Sequence, residues 1–152
     1  VDNDLDGRYN EDGVGGLEVR AVYTWLASTV RAVDGDSGLA PSPFSVGDWL
    51  IRRPRHQALV DVVLRRPRFT TSAQVGARGR VLDIEPNWGA WGGLFDNPGY
   101  AVANAGVAVR LVRGLDLVAR VSNLFDRRYE EAFGFPSPGR VGTVGVRVAA
   151  GR

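Results

Sequence analysis

The sequence predicts an all-β chain of about six antiparallel up-and-down strands, patterned as part of a transmembrane outer-membrane β-barrel. Three observations predict it. Apolar residues recur with period two, in runs of about ten residues. The segments between those runs alternate long and short, which puts the long ones at one end of the sheet. No run approaches the roughly 18 apolar residues of a membrane helix, so any crossing would be made by strands. An antiparallel soluble sandwich has the same alternation and stays open at this point.

The first strand, Leu17–Ala27, puts Leu17, Val19, Ala21, Tyr23, Trp25 and Ala27 on one face against Glu18, Arg20 and Thr24. Trp25, near its end, suits an aromatic girdle at a membrane interface. In Gln57–Arg66, Ala58, Val60, Val62 and Leu64 oppose Gln57, Asp61 and Arg65. In Thr70–Val81 the faces are Thr71, Ala73, Val75, Ala77, Gly79 and Val81 against Thr70, Ser72, Gln74, Gly76, Arg78 and Arg80. Tyr100–Leu111 sets six apolar residues, Ala101 through Leu111, against Asn104 and Arg110. Leu115–Phe125 sets Leu115, Leu117, Ala119 and Val121 against Asp116, Arg120 and Ser122. The last run carries Gly142, Val144, Val146, Val148 and Ala150 against Thr143 and Arg147. Between them, 28–56, 83–99 and 126–139 are long; 67–69 and 112–114 are minimal.

The polar face holds Arg and Gln in mid-strand, while the apolar face is mostly Ala, Val and Gly, smaller than a soluble core favours. On a lipid face at mid-depth, Arg78, Arg80, Arg110 and Arg120 would cost roughly 2–4 kcal/mol each. Their register with Gln74 and Ser122 assigns them to a lumen, where water or an acidic partner meets them.

Composition narrows the function classes. The chain has 152 residues, 44% hydrophobic and 24% charged, which excludes a disordered tail. All 19 basic residues are Arg, and the net charge of +2 is too balanced to argue for nucleic acid. There is no Cys, so no disulfide scaffold, and no Met, so the frame is expected to continue upstream. Residues 1–15 read as an acidic loop or linker. Within them Asp2, Asp4, Asp6 and Gly7 mimic the opening of a calcium loop, but its twelfth position is Gly13, not Glu. A solvated loop is expected there. The single His56 has no companions for a metal site and no placed Ser or Asp for a triad. The glycine spacings fit neither phosphate-binding pattern. No catalytic residue, metal or cofactor is therefore expected. Trp88, Trp91, Phe95 and Tyr100, set among glycines in Pro86–Tyr100, are candidates to contact an apolar or aromatic ligand, or else to pack the loop or sit at an interface.

The segment "VSNLFDRRYEEAFGFPSPGR" before the last strand adds a resemblance. Asn123, Leu124, Phe125, Asp126, Tyr129, Gly134, Pro138, Gly139 and Arg140 match the end of TonB-dependent outer-membrane receptors of the siderophore and cobalamin type. "LIRRPRHQ" (Leu50–Gln57), "GLEV" (Gly16–Val19) and "YTWLAS" (Tyr23–Ser28) look like further pieces of the same region, in order. The resemblance implies that 16–152 is the C-terminal segment of such a barrel, because six strands cannot close one and these receptors use about 22. It implies structural roles for the matched residues: ending strands and ordering the last extracellular loop. Its implied partners are outer-membrane lipid, the rest of the barrel with its plug, TonB through that missing part, and a nutrient chelate as ligand. The alternative is a small stand-alone β protein, either a passive barrel or a soluble partner-binding sandwich. Two departures accompany the resemblance. Ala150 stands where an aromatic is usual, and "GLEV" lies only three residues from "YTWLAS", as if a hairpin were fused.

Overall fold

The computed structural model describes residues 15–33, 44–85, 87 and 89–149, with the backbone alone at 89–92. The acidic stretch 1–14, with its calcium-like spacing, and Ala150 lie outside the described residues. Six strands make one antiparallel sheet: β1 (Leu17–Trp25), β2 (His56–Arg66), β3 (Phe69–Arg78), β6 (Tyr100–Val112), β7 (Leu115–Ser122) and β10 (Val141–Val148). Their order, β1-β2-β3-β6-β7-β10, follows the chain without a crossover. "GLEV" and "YTWLAS" belong to one continuous strand, for β1 pairs with β2 from Leu17 opposite Leu64 to Trp25 opposite His56.

Register keeps the two faces separate across all six strands. Val62, Ala73, Ala105 and Val121 face one another in successive pairs on the apolar side. Asp61, Gln74 and Asn104 do so on the other side. A one-residue slip anywhere would exchange the faces. Among the described residues Val81 is the single buried hydrophobe, and Tyr23, Trp25, Val144, Val146 and Val148 are all well exposed. Among the described residues the sheet carries no second layer over its apolar side.

The long connections depart from sequence expectation by folding into structure of their own. Connection 79–99 contains the hairpin β4 (Val81–Glu85) and β5 (Gly89–Asn97). Val81 and Arg80 therefore leave the third strand; Arg80 reaches Asp96 at 3.3 Å and does not line the sheet. Connection 123–140 contains β8 (Glu130–Ala132) paired with β9 (Phe135–Pro136). Strand β7 stops at Ser122, not Phe125, because Asn123 adopts a left-handed φ of 52°. The first connection, 26–55, is tied across by an isolated bridge between Thr29 and Trp49.

Candidate functional site: a polar sheet face under joined loops

On the polar face the strands place short and long polar side chains at one level, and these join in a chain. Arg20 Nη2 donates to Asp61 Oδ2 at 3.1 Å, and Gln74 Nε2 donates to Asp61 Oδ1 at 2.7 Å. Asn104 Nδ2 donates to Gln74 Oε1 at 3.1 Å, and Asn104 Oδ1 accepts from the Asn123 backbone N–H at 3.0 Å. The links run from β1 through β2, β3 and β6 to Asn123 just past β7, so the polar groups of this belt partner one another.

Beyond that belt, at the long-loop end, lies a concavity of about 380 Å³ whose walls include Gln57, Arg78, Tyr100, Asn104 and Tyr129. Tyr100 and Tyr129 rings lie 4.1 Å apart between centroids, and the Arg78 guanidinium sits 4.7 Å from the Tyr100 ring. Arg78 Nη2 also donates to the Glu130 carbonyl at 2.8 Å, drawing the third long loop across the polar face. The buried Asn97 donates to the same carbonyl at 3.3 Å.

Asp83 joins all three long connections. Its side chain is 0% exposed. It accepts from Arg52 Nε at 2.7 Å, from the Phe133 N–H at 2.7 Å and from the Ile84 N–H at 2.9 Å. Arg52 holds a left-handed φ of 56°, unusual for a long side chain, and its N–H donates to the Leu82 carbonyl at 2.8 Å. Burial pushes the Asp83 carboxyl up, but the Phe133, Arg52 and Ile84 donors outweigh it and hold the group below its usual range. Phe95 stacks on Phe133 with centroids 4.7 Å apart, an apolar clamp between the second and third connections.

The C-terminal motif is an interlocked turn. Asn123, only 4% exposed, accepts the Arg127 N–H at 2.8 Å and donates to the Arg127 carbonyl at 2.8 Å and the Pro138 carbonyl at 3.3 Å. Asp126, at φ 53°, accepts the Arg140 N–H at 2.8 Å. Gly139 lies against that carboxylate, where a Cβ would come within 2.7 Å of Asp126 Oδ1. The Leu124 N–H donates to the Ala103 carbonyl at 2.7 Å.

No known family's sequence profile matches this chain, and no curated protein matches it. Solved structures do. The siderophore receptor PiuA from Acinetobacter baumannii aligns with 87% of this chain at a TM-score of 0.74 and 19% identity, over 19% of its own length. The ferric-catecholate import receptor Fiu from E. coli K12 aligns in its closed form with 87% of this chain at 0.64 and 21% identity, over 18% of its own length. Its open form aligns with 62% at 0.54 and 24%, over 15%. The fold is that of part of an outer-membrane β-barrel. The resemblance read from the C-terminal motif thus holds in three dimensions, and the proteins it leads to are transport receptors rather than enzymes. The chain spans about a fifth of the length of those receptors.

In a barrel wall the apolar face is the outside and the polar belt lines the lumen. Tyr23 and Trp25 stand on the outer face at the long-loop end, and Phe69 on the same face at the short-turn end. Between them β2 runs from Ala58 to Arg66, eight residue steps. At ~3.4 Å per step and a tilt of ~40° that is about 20 Å of depth, close to the ~25 Å apolar band of such barrels. Phe125, 78% exposed, stands just beyond β7 at the long-loop end.

Of the aromatic candidates, Phe95 and Tyr100 fall into two different stacks, on Phe133 and Tyr129 respectively. Within Pro86–Tyr100, Gly89–Asn97 forms strand β5, paired with β4 rather than left as an open loop. Trp88 and the Trp91 side chain lie outside the described residues. Sequence reasoning missed Asp83 and Arg52 as a junction. The available signal was an acid inside an apolar run, "VLDIE". Among the described residues no group of three His, Asp or Glu side chains could hold a metal ion.

Proposed function

We propose that this chain is a C-terminal segment of the barrel wall of a TonB-dependent outer-membrane importer for a ferric siderophore, cobalamin or a similarly bulky nutrient. The long connections face the outside, where the Arg78–Tyr100–Tyr129 concavity and the aromatic residues of the second connection meet the ligand. The plug and the TonB contact belong to the remainder of the protein. The observation that carries this reading is the two-faced meander: an apolar outer face, a hydrogen-bonded inner belt, and long connections gathered at one end over the inner face. That arrangement, superposed on siderophore receptors, supports import more than a passive pore, because the loops fold inward over the lumen instead of leaving it open.

Uptake of radiolabelled iron and cobalt tests it. Cells expressing the full-length protein should accumulate at least one ferric chelate or cobalamin, and dissipating the proton gradient should abolish that accumulation. Failure with catecholate, hydroxamate and carboxylate chelates and with cobalamin would sink the proposal.

A further inference from the structure

At the short-turn end, charge pairing divides by face. On the luminal side Arg65 Nη1 lies 2.8 Å from Glu18 Oε2, and Arg110 Nε lies 3.7 Å from Asp116 Oδ1. Arg66 is the next residue along β2 and so belongs to the outer face, opposite Phe69. Its guanidinium donates to the Arg65 carbonyl at 3.2 Å. Arg68 and Arg113, on the two short turns, are exposed. Among the described residues no carboxylate pairs with Arg66, Arg68 or Arg113. The two turns are neighbours, for the Arg110 N–H donates to the Arg68 carbonyl at 2.8 Å.

Among the described residues these guanidiniums thus lack a carboxylate and border the apolar belt from the level of its last aromatic residue, Phe69, onward, while their luminal neighbours are neutralised. Outer-membrane barrels keep their short turns on the periplasmic side, and the leaflet that meets that rim offers phosphodiester headgroups. A guanidinium binds phosphate through two parallel hydrogen bonds and keeps its charge at any physiological pH.

We propose that Arg66, Arg68 and Arg113 form a site for anionic phospholipid headgroups on the outer rim of the barrel wall at its short-turn end. The chemistry is that of a phosphodiester whose acyl chains lie along Phe69, Val109 and Leu117, which share the outer face at that level. This inference rests on the membrane-spanning reading but not on import, so its test needs insertion and no transport.

The test reconstitutes the full-length protein in bilayers of phosphatidylcholine containing phosphatidylglycerol. Spin-labelled phosphatidylglycerol and phosphatidylcholine then report the lipid in contact with protein. Phosphatidylglycerol should be preferred at low salt and lose that preference at high salt. Each arginine replaced by Gln should reduce the preference by about fivefold, and the triple R66Q/R68Q/R113Q variant should abolish it. The variant R120Q, on the luminal face of β7, should keep it. Equal preference in wild type and the inserted triple variant would overturn the site. So would an equal loss in R120Q, which would mean that net charge alone acts. Loss of binding to a soluble acidic peptide with lipid preference intact would move the site to a periplasmic protein partner and overturn the lipid assignment. A protein that fails to insert would overturn the barrel reading itself.

Discussion

Asp83 shows what one buried carboxylate does in a structure with almost no core. Its three donors come from residues 52, 84 and 133, so it ties together three connections that the chain separates widely. Replacing it with Ala should leave the Phe133 and Ile84 N–H groups without partners and cost about 1–3 kcal/mol. Faster hydrogen exchange at Phe133 and Ile84 would report it, with the sheet amides unchanged. Because the folded carboxyl titrates below its unfolded value near 3.9, its contribution is complete above about pH 4 and is lost as pH falls through the folded value. Acidification should therefore loosen the loops in the native protein and make no such difference in Asp83→Ala. Asn123 is a second such residue, holding a left-handed backbone and three hydrogen bonds. Asn123→Ala should cost about 2 kcal/mol through lost hydrogen bonds and backbone strain together, read as a lowered unfolding midpoint in detergent.

At the level of strands, the alternation was readable because each position has one face, and a barrel demands the same face from every strand. Leu17, Val62, Ala105 and Val146 all announced their side without help from the fold. What could not be read was the inner structure of the long connections. The β4–β5 hairpin shifts register between Ile84 and Glu85, so its residues lose the strict two-residue rhythm. The Asp83 junction depends on three segments meeting, which local pattern does not encode. The C-terminal motif was legible as a motif, but the reason for Gly139 emerges only when Asp126 is seen against it. Faces can be tested directly. Ala105 lies between Ala73 and Val121 in the middle of the outer side. Ala105→Arg should cost about 2–4 kcal/mol in bilayers, whereas Ser72→Arg, one face over, should cost far less. Denaturant titration of vesicle-inserted protein compares the two.

Taken whole, the six-stranded sheet is a wall. Among the described residues its outer strands, β1 and β10, each have a partner on one side only, and unpaired edges are not viable in lipid. Residues 1–152 expressed by themselves in buffer without detergent should therefore show no cooperative thermal transition and should associate. A sharp transition from a soluble monomer would mean that the apolar face is covered in another way.

The strand order also has a consequence for assembly. Every pairing in the sheet joins successive strands of that sheet, and the short-turn hairpins β2–β3 and β6–β7 can form from local chain. The Asp83 contacts to Arg52 and Phe133 span 31 and 50 residues and close loops over already paired strands. Because chain entropy makes such distant closures late, the wall is built before its cap. An assembly intermediate would be a sheet with its zipper complete and its mouth still open, accessible from outside until the last loop docks.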